Sequence, residues 1–247
     1  MGILKKYKIR VSENKKIRAI NCKTLPWFTI LLSVSLLIIY YFQTLTQNIY
    51  NQFALDPLMV EYHGEYYRIL TSVFLHGSWD HVIGNVVLIL LTSWRLEKLI
   101  GHTRIMIVYL VASISGSILS MVVNPNLTYL GASIGVAGLF GITLVLRYYF
   151  IKNNVVKAFI TGWQVVNSVF WLLIIGLIIY DLGLEPSGTL MINNVGHIGG
   201  LIGGTCSLLV INVSKKVGNF NKYLRVSAGA VLILGSIWCA FRIYFTM

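Results

Sequence analysis

Charge is what this sequence has least of, and acid least of all. Its 247 residues include 8 Asp and Glu against 20 Lys and Arg, and charged residues together make up 11%. A soluble domain of ordinary composition holds about 25%. With 56% hydrophobic residues gathered in long runs, this shortage excludes an ordinary soluble domain and indicates an integral membrane protein. Length then limits the number of helices, because each span needs about 20 residues. Cysteine is scarce too. Cys22, Cys206 and Cys239 are far apart without paired spacing, which excludes a disulfide framework and a cysteine metal site. No repeat or low-complexity tract stands out.

The formal net charge of +12 suggests a nucleic-acid partner until its distribution is considered. Lys5, Lys6, Lys8, Arg10, Lys15, Lys16, Arg18 and Lys23 all precede residue 25, and most of the other basic residues fall between apolar runs. That is a topology pattern, not a basic groove, so no nucleic-acid partner is expected. Residues 1–25 read as a basic cytoplasmic segment able to contact anionic lipid. The apolar run that begins near Pro26 is too long for a signal-peptide core and lacks a small-residue cleavage site.

Seven apolar segments are expected, at about 26–46, 73–93, 105–123, 130–149, 158–180, 187–213 and 223–246. Inside lipid every backbone polar group must be satisfied within its own segment, so these should be helices. The second is the weakest, because His76, Asp80, His81 and Asn85 interrupt it. A membrane run that tolerates such residues usually turns them away from lipid. With the N-terminus in the cytoplasm, Arg95, Lys98, Arg104, Arg147, Lys152, Lys157, Lys215, Lys216, Lys222 and Arg225 fall on the cytoplasmic side. Only Arg68 and Arg242 fall outside, while Asp56, Glu61, Glu65, Asp80, Asp181 and Glu185 lie outside or near an outer end. This alternation supports seven spans, with the C-terminus outside. The longest outer loop, 47–72, carries Phe53, Leu58, Met59, Tyr62, Tyr66 and Tyr67 among polar residues. It reads either as an interfacial amphipathic segment or as a plain connection.

Ser133 lies in Gly131-Ala132-Ser133-Ile134-Gly135 at the outer start of the fourth run. Unpaired N–H groups and the positive end of a helix dipole are available there to stabilise an oxyanion. Gly131 and Gly135 leave room for a substrate backbone. Alternatively, Gly131, Gly135 and Gly138 form only a small-residue packing face. His197 is expected about ten residues into the sixth run, followed by Gly199, Gly200, Gly203 and Gly204. A histidine within a span needs a partner. His81 and Asn85 share one helix face at i, i+4 and can both donate hydrogen bonds; His76 lies further toward the outer end. No acid falls in the centre of any run. A Ser–His dyad is therefore a simpler mechanism than a triad.

With these residues in place, the chain resembles the rhomboid family of intramembrane serine proteases over about residues 60–205. Arg68-Ile69-Leu70-Thr71-Ser72-Val73-Phe74-Leu75-His76 resembles the family's entry into its second helix. His76, His81 and Asn85 match its His-x4-His-x3-Asn pattern. Glu97, Gly101, Arg104 and Tyr109 resemble the stretch joining the second and third helices. Gly131-x-Ser133 with Gly138-Leu139-Phe140-Gly141 resembles the nucleophile motif, and His197-x-Gly199-Gly200-x3-Gly204 the base motif. The resemblance implies an all-α polytopic membrane protein with a six-helix core over 26–213, and a loop and seventh helix over 214–247. It implies Ser133 as nucleophile, His197 as general base, and Asn85, His81 and the Ser133 N–H as oxyanion donors. It implies a structural role for His76, Gly131, Gly138, Gly200 and Gly204.

The same resemblance implies no metal or other cofactor. Its substrates would be single-span membrane proteins, cut in or near the membrane at small, helix-destabilising residues. A multi-pass protein of the bacterial cell membrane, its site opening outward, is expected. Two positions depart from the family pattern. Ile134 stands where many members have Gly, and could crowd the oxyanion pocket. Ala137 stands where many have an aromatic that packs on the base histidine. The first outer loop also has no Trp-Arg pair, and Trp94-Arg95 lies on the expected cytoplasmic side. Two other functions compete. A catalytically silent rhomboid-like protein would bind membrane helices without a dyad, and a transporter would use His81 and His197 as a proton path. Retention of Ser133, His197, His81 and Asn85 together speaks against the first. The absence of deep charges and of a broken-helix repeat speaks against the second.

Overall fold

A computed structural model describes residues 25–149, 193–211 and 220–246, and every regular element among them is helical. In chain order these are α1 (Trp27–Leu45), α2 (Gln47–Phe53), α3 (Pro57–His63), α4 (Arg68–Thr71) continued by a 3₁₀ turn (Ser72–Phe74), α5 (Trp79–Ile100), α6 (His102–Val123), α7 (Ser133–Tyr149), α8 (Asn194–Ile211) and α9 (Lys222–Thr246). Four of them, α1, α6, α8 and α9, are long and apolar enough to cross a bilayer. The span expected at 158–180 and the first residues of that at 187–213 lie outside the described residues. The chain is an all-α, multi-pass membrane protein.

The run expected at 73–93 is not one straight helix. The chain bends by 93° between Phe74 and Trp79, and α5 then continues to Ile100, through Arg95, Glu97 and Lys98, which the hydropathy pattern put in a loop. The reason is a distant partner. α1 starts at Pro26, which provides no side-chain cap, so its first N–H groups need an acceptor from elsewhere. Glu97, 1% exposed, supplies it: its carboxylate accepts from Phe28 N at 2.8 Å and Thr29 N at 2.9 Å. The Thr29 hydroxyl and His102 Nδ1 also hydrogen-bond the same carboxylate. Glu97→Ala is expected to cost about 2 kcal/mol of stability, because it strands buried donors at the start of α1. The measurement is the midpoint of unfolding in mixed micelles, and an unshifted midpoint would contradict the assignment.

The loop at 47–72 is built largely of the short helices α2, α3 and α4. Asp56 caps α3 through Leu58 N at 3.0 Å, and Gly64 ends that helix in the left-handed region at φ 69°. Arg68, 5% exposed, then gathers the loop. Its Nη1 donates to Asn51 O at 2.9 Å and Ala54 O at 2.8 Å, and its Nε to the Glu65 carboxylate. That hydrogen bond holds the Glu65 carboxyl below the usual carboxylate range. Leu55 and Tyr129 exchange backbone hydrogen bonds at 3.0 and 2.9 Å, fastening the loop to the segment just ahead of α7.

The centre of the molecule is a glycine seam where α8 meets α6 and α7. A Cβ on Gly204 would lie 2.5 Å from Gly138 Cα, and one on Gly199 2.8 Å from Gly116 Cα. A Cβ on Gly200 would collide with the Ile134 carbonyl oxygen, and one on Gly138 with Ala112 Cβ. Backbones approach this closely only where side chains are missing, which is the small-residue packing expected of membrane helices. Around the seam, Val108, Tyr109, Leu139, Phe140, Ile142 and Leu208 form a buried apolar core. α9 lies against α8, with Val210 Cγ2 beside Gly229, and Arg225 Nη2 donates to Val210 O at 3.1 Å near the end of α8.

Candidate active site

Two helix starts meet at the site. Ser133 is the first residue of α7 and His197 lies in the first turn of α8, with His197 Nε2 2.8 Å from Ser133 Oγ. His197 is thus not ten residues into its helix, as hydropathy suggests: α8 begins at Asn194. The expected run begins earlier, at about 187, because Leu190, Met191 and Ile192 ahead of this start are apolar enough to extend it. A hydroxyl and an imidazole at this distance can exchange a proton. The other ring nitrogen, His197 Nδ1, is buried and hydrogen-bonds to none of the described residues.

The approach to Ser133 is held from the opposite side. Gly131 N donates to Ser72 O at 3.0 Å, and Ala132 N approaches His76 Nε2 at 3.4 Å. His76 itself is fully buried. Its backbone is held by one amide side chain, since Gln43 Nε2 donates to His76 O at 2.7 Å and Gln43 Oε1 accepts from His76 N at 3.2 Å. Gly131 has φ 119°, a conformation side chains rarely adopt. A Cβ there would also sit 2.9 Å from the His81 ring. The glycine is needed on both counts, and its absent side chain leaves room for the His81 ring beside it.

His81 is placed by the start of its own helix. Ser78 caps α5 and accepts from His81 N at 3.1 Å, and the His81 ring meets His76 edge-on, 5.0 Å between centroids. One turn further on lies Asn85, 3% exposed, whose Nδ2 donates to none of the described residues. As first residue of α7, Ser133 also has an N–H outside the helix's own hydrogen-bond ladder. Ser133, His197, His81, His76 and Gly131 are thus brought together, with Asn85 a turn away on the His81 face. Gly138, Gly200 and Gly204 are not part of this group; they form the seam that sets α7 against α8.

Ile134 does not point where the sequence suggests. It is 4% exposed, and its Cγ2 occupies the space that a Cβ on Gly116 or Gly200 would need. The side chain fills the seam between α6 and α8 instead of crowding the space beside Ser133. Ile134→Ala should therefore lower stability by roughly 2 kcal/mol or more, through the cavity it leaves, and should not raise turnover. Unfolding midpoints and initial rates measured together decide this, and a faster Ile134→Ala enzyme would revive the crowding argument. Ala137 is buried, and among the described residues no aromatic ring stacks on His197. Sequence reasoning missed Gln43, Asn193 and Ser120. Their only signal was a polar residue in or beside an apolar run.

Comparison with known proteins places this chain beside one family. The Rhomboid domain model matches residues 63–213. Rhomboid-like protease 5 of Toxoplasma gondii is 33% identical over 154 residues, 61% of this chain and 17% of that protein. Rhomboid protease GluP of Bacillus subtilis is 33% identical over 172 residues, 69% of this chain and 30% of that protein. RHOMBOID-like protein 6, mitochondrial, of Arabidopsis thaliana is 28% identical over 165 residues, 67% of this chain and 50% of that protein. The chain spans half the length of these relatives or less.

Proposed function

Since the chain belongs to the rhomboid family, we propose that it is an intramembrane serine endopeptidase working through a Ser133–His197 dyad. The 2.8 Å approach of His197 Nε2 to Ser133 Oγ is the observation that carries the reading. Ser133 Oγ attacks the substrate carbonyl carbon as His197 Nε2 takes its proton. The tetrahedral oxyanion is met by Asn85 Nδ2, the His81 ring and the Ser133 N–H. The intermediate collapses, the C–N bond breaks, and His197 returns its proton to the leaving amine. Water then attacks the acyl ester, giving its proton to His197, and Ser133 is released as the hydroxyl. Several relatives named as proteases support peptide hydrolysis as the family's chemistry.

Its substrates are single-span membrane proteins, cut in or near the bilayer where small, helix-breaking residues expose the backbone. The protease core comprises six helices over 26–213, with the loop and seventh helix over 214–247 added to it. The N-terminus lies in the cytoplasm of a bacterial cell and the site opens toward the outer side. The test is incubation of the reconstituted protein with a panel of single-span substrates, the cut mapped by mass spectrometry, alongside a fluorophosphonate probe. Cleavage, with the probe attached at Ser133, is expected. An intact substrate panel and an unlabelled Ser133 would sink the proposal in favour of a silent helix-binding protein.

A further inference from the structure

The two partners of the dyad are fastened independently. The Ser133 side is held by Ser72, His76 and the Leu55–Tyr129 pair. Among the described residues, the His197 side has no ring stacked on it and no partner at Nδ1, so the imidazole depends on where the first turn of α8 sits. Among the described residues, Asn193 holds that turn by both its side chain and its backbone. Its side-chain Oδ1 accepts from Gly196 N at 2.8 Å, and its backbone carbonyl accepts from His197 N at 3.0 Å. The two N–H groups it ties down belong to His197 and to the residue before it.

Asn193 also ties this turn to another helix. Ser120 Oγ lies 2.9 Å from Asn193 Oδ1 and 2.9 Å from Gly116 O, its single proton serving one of them at a time. Ser120 is fully buried on α6, a helix that contributes no residue to the dyad. Gly116, one turn before Ser120, lies directly against the Gly196 carbonyl. α6 therefore carries both the hydroxyl that holds the cap and the gap that admits the capped turn. An N-cap in contact with solvent would fix only its own helix. This one fixes α8 against a neighbour at the level of His197.

We propose that Asn193 and Ser120 are positioning residues that set His197 against Ser133, in place of an aromatic stacked on the histidine. The inference rests on the protease reading of the same dyad. Asn193→Ala frees Gly196 N and cuts the link to α6. A catalytic group displaced by about 1 Å can lose on the order of 100-fold in rate, and Asn193→Ala is expected to lose between about tenfold and that limit in kcat. KM should stay within about twofold, since neither residue meets substrate and the exchange acts only on dyad geometry. Ser120→Ala should lose less, and the double variant no more than the worse single, because both changes break one connection. Asn193→Asp keeps the acceptor and should restore most of the activity; the Nδ2 it gives up has no hydrogen bond among the described residues.

The experiment measures kcat, KM and the rate of fluorophosphonate labelling for wild type and the four variants, well below each unfolding midpoint. Loss of kcat and of labelling together, with KM held and Asp rescuing, is the expected pattern. Asn193→Ala with wild-type kcat overturns the inference and leaves the protease reading standing. A shared rise in KM, or an Asp variant as slow as Ala, also overturns it. A wild type that neither cleaves nor takes the probe overturns the protease reading and this inference with it.

Discussion

Alanine at Ser133 or at His197 is expected to slow substrate cleavage by on the order of 10⁴-fold or more. An unassisted serine hydroxyl is a poor nucleophile, and an imidazole without a hydroxyl beside it has nothing to activate. The two losses should not add, because the residues act in one step. His197 stands in the right place for the proton, 2.8 Å from Ser133 Oγ. A competitor is nonetheless nearby, since the His81 ring covers Gly131. The assignment is decided by covalent labelling of Ser133 in three proteins: wild type, His197→Ala and His81→Ala. Labelling should vanish with His197 and persist, more slowly, without His81. The reverse pattern would make His81 the base. Far-ultraviolet circular dichroism and unfolding midpoints show whether each variant is folded.

Asn85→Leu is expected to reduce kcat by about 10²- to 10³-fold, the usual loss when one preorganised oxyanion donor is removed. It should do so without lowering stability. Asn85 is nearly buried, and its Nδ2 donates to no described residue. A buried donor left unpaired costs folding free energy, whereas an apolar side chain of similar volume does not. In a resting protein with no other use for that amide, leucine is neutral or stabilising. The two readouts then move apart, with turnover falling and the unfolding midpoint holding or rising. A group there only to bind helices together would give the opposite result, with both falling in step. Steady-state kinetics and unfolding of the same preparation distinguish the two outcomes.

Much of the helical scaffold could be read from hydropathy, because lipid imposes one solution on an apolar run. α1, α6, α7 and α9 start and stop within a few residues of the expected limits. What hydropathy misreads are places where a polar side chain is satisfied by something far away in sequence. Glu97 looked like a loop acid because its partners, Phe28 and Thr29, lie more than sixty residues earlier. Arg68 was legible as an outer charge and as part of a motif, but not as the tie of its loop, because two of its acceptors are backbone carbonyls, which have no letter in a sequence. The residues gathered at the site were legible for a different reason: Ser133, His197, His81 and Gly131 sit in short motifs that resemble those of one family, and that resemblance groups them. The direction of Ile134 was not legible. It depends on the helix rotation that puts its side chain toward Gly116 and Gly200, and a one-dimensional pattern does not specify which neighbour fills that side.

The first helix has a consequence for where this molecule can be divided. α1 is held near its beginning by Glu97 and near its end through Gln43, which grips both backbone groups of His76. His76 in turn meets the amide of Ala132, next to the nucleophile. The matched family domain begins at residue 63, after all of α1. A fragment trimmed to that homologous boundary would keep every residue of the proposed chemistry and lose the brace behind it. The inherited module and the mechanical unit are therefore different objects here, and the smallest portable piece of this protein starts before Trp27.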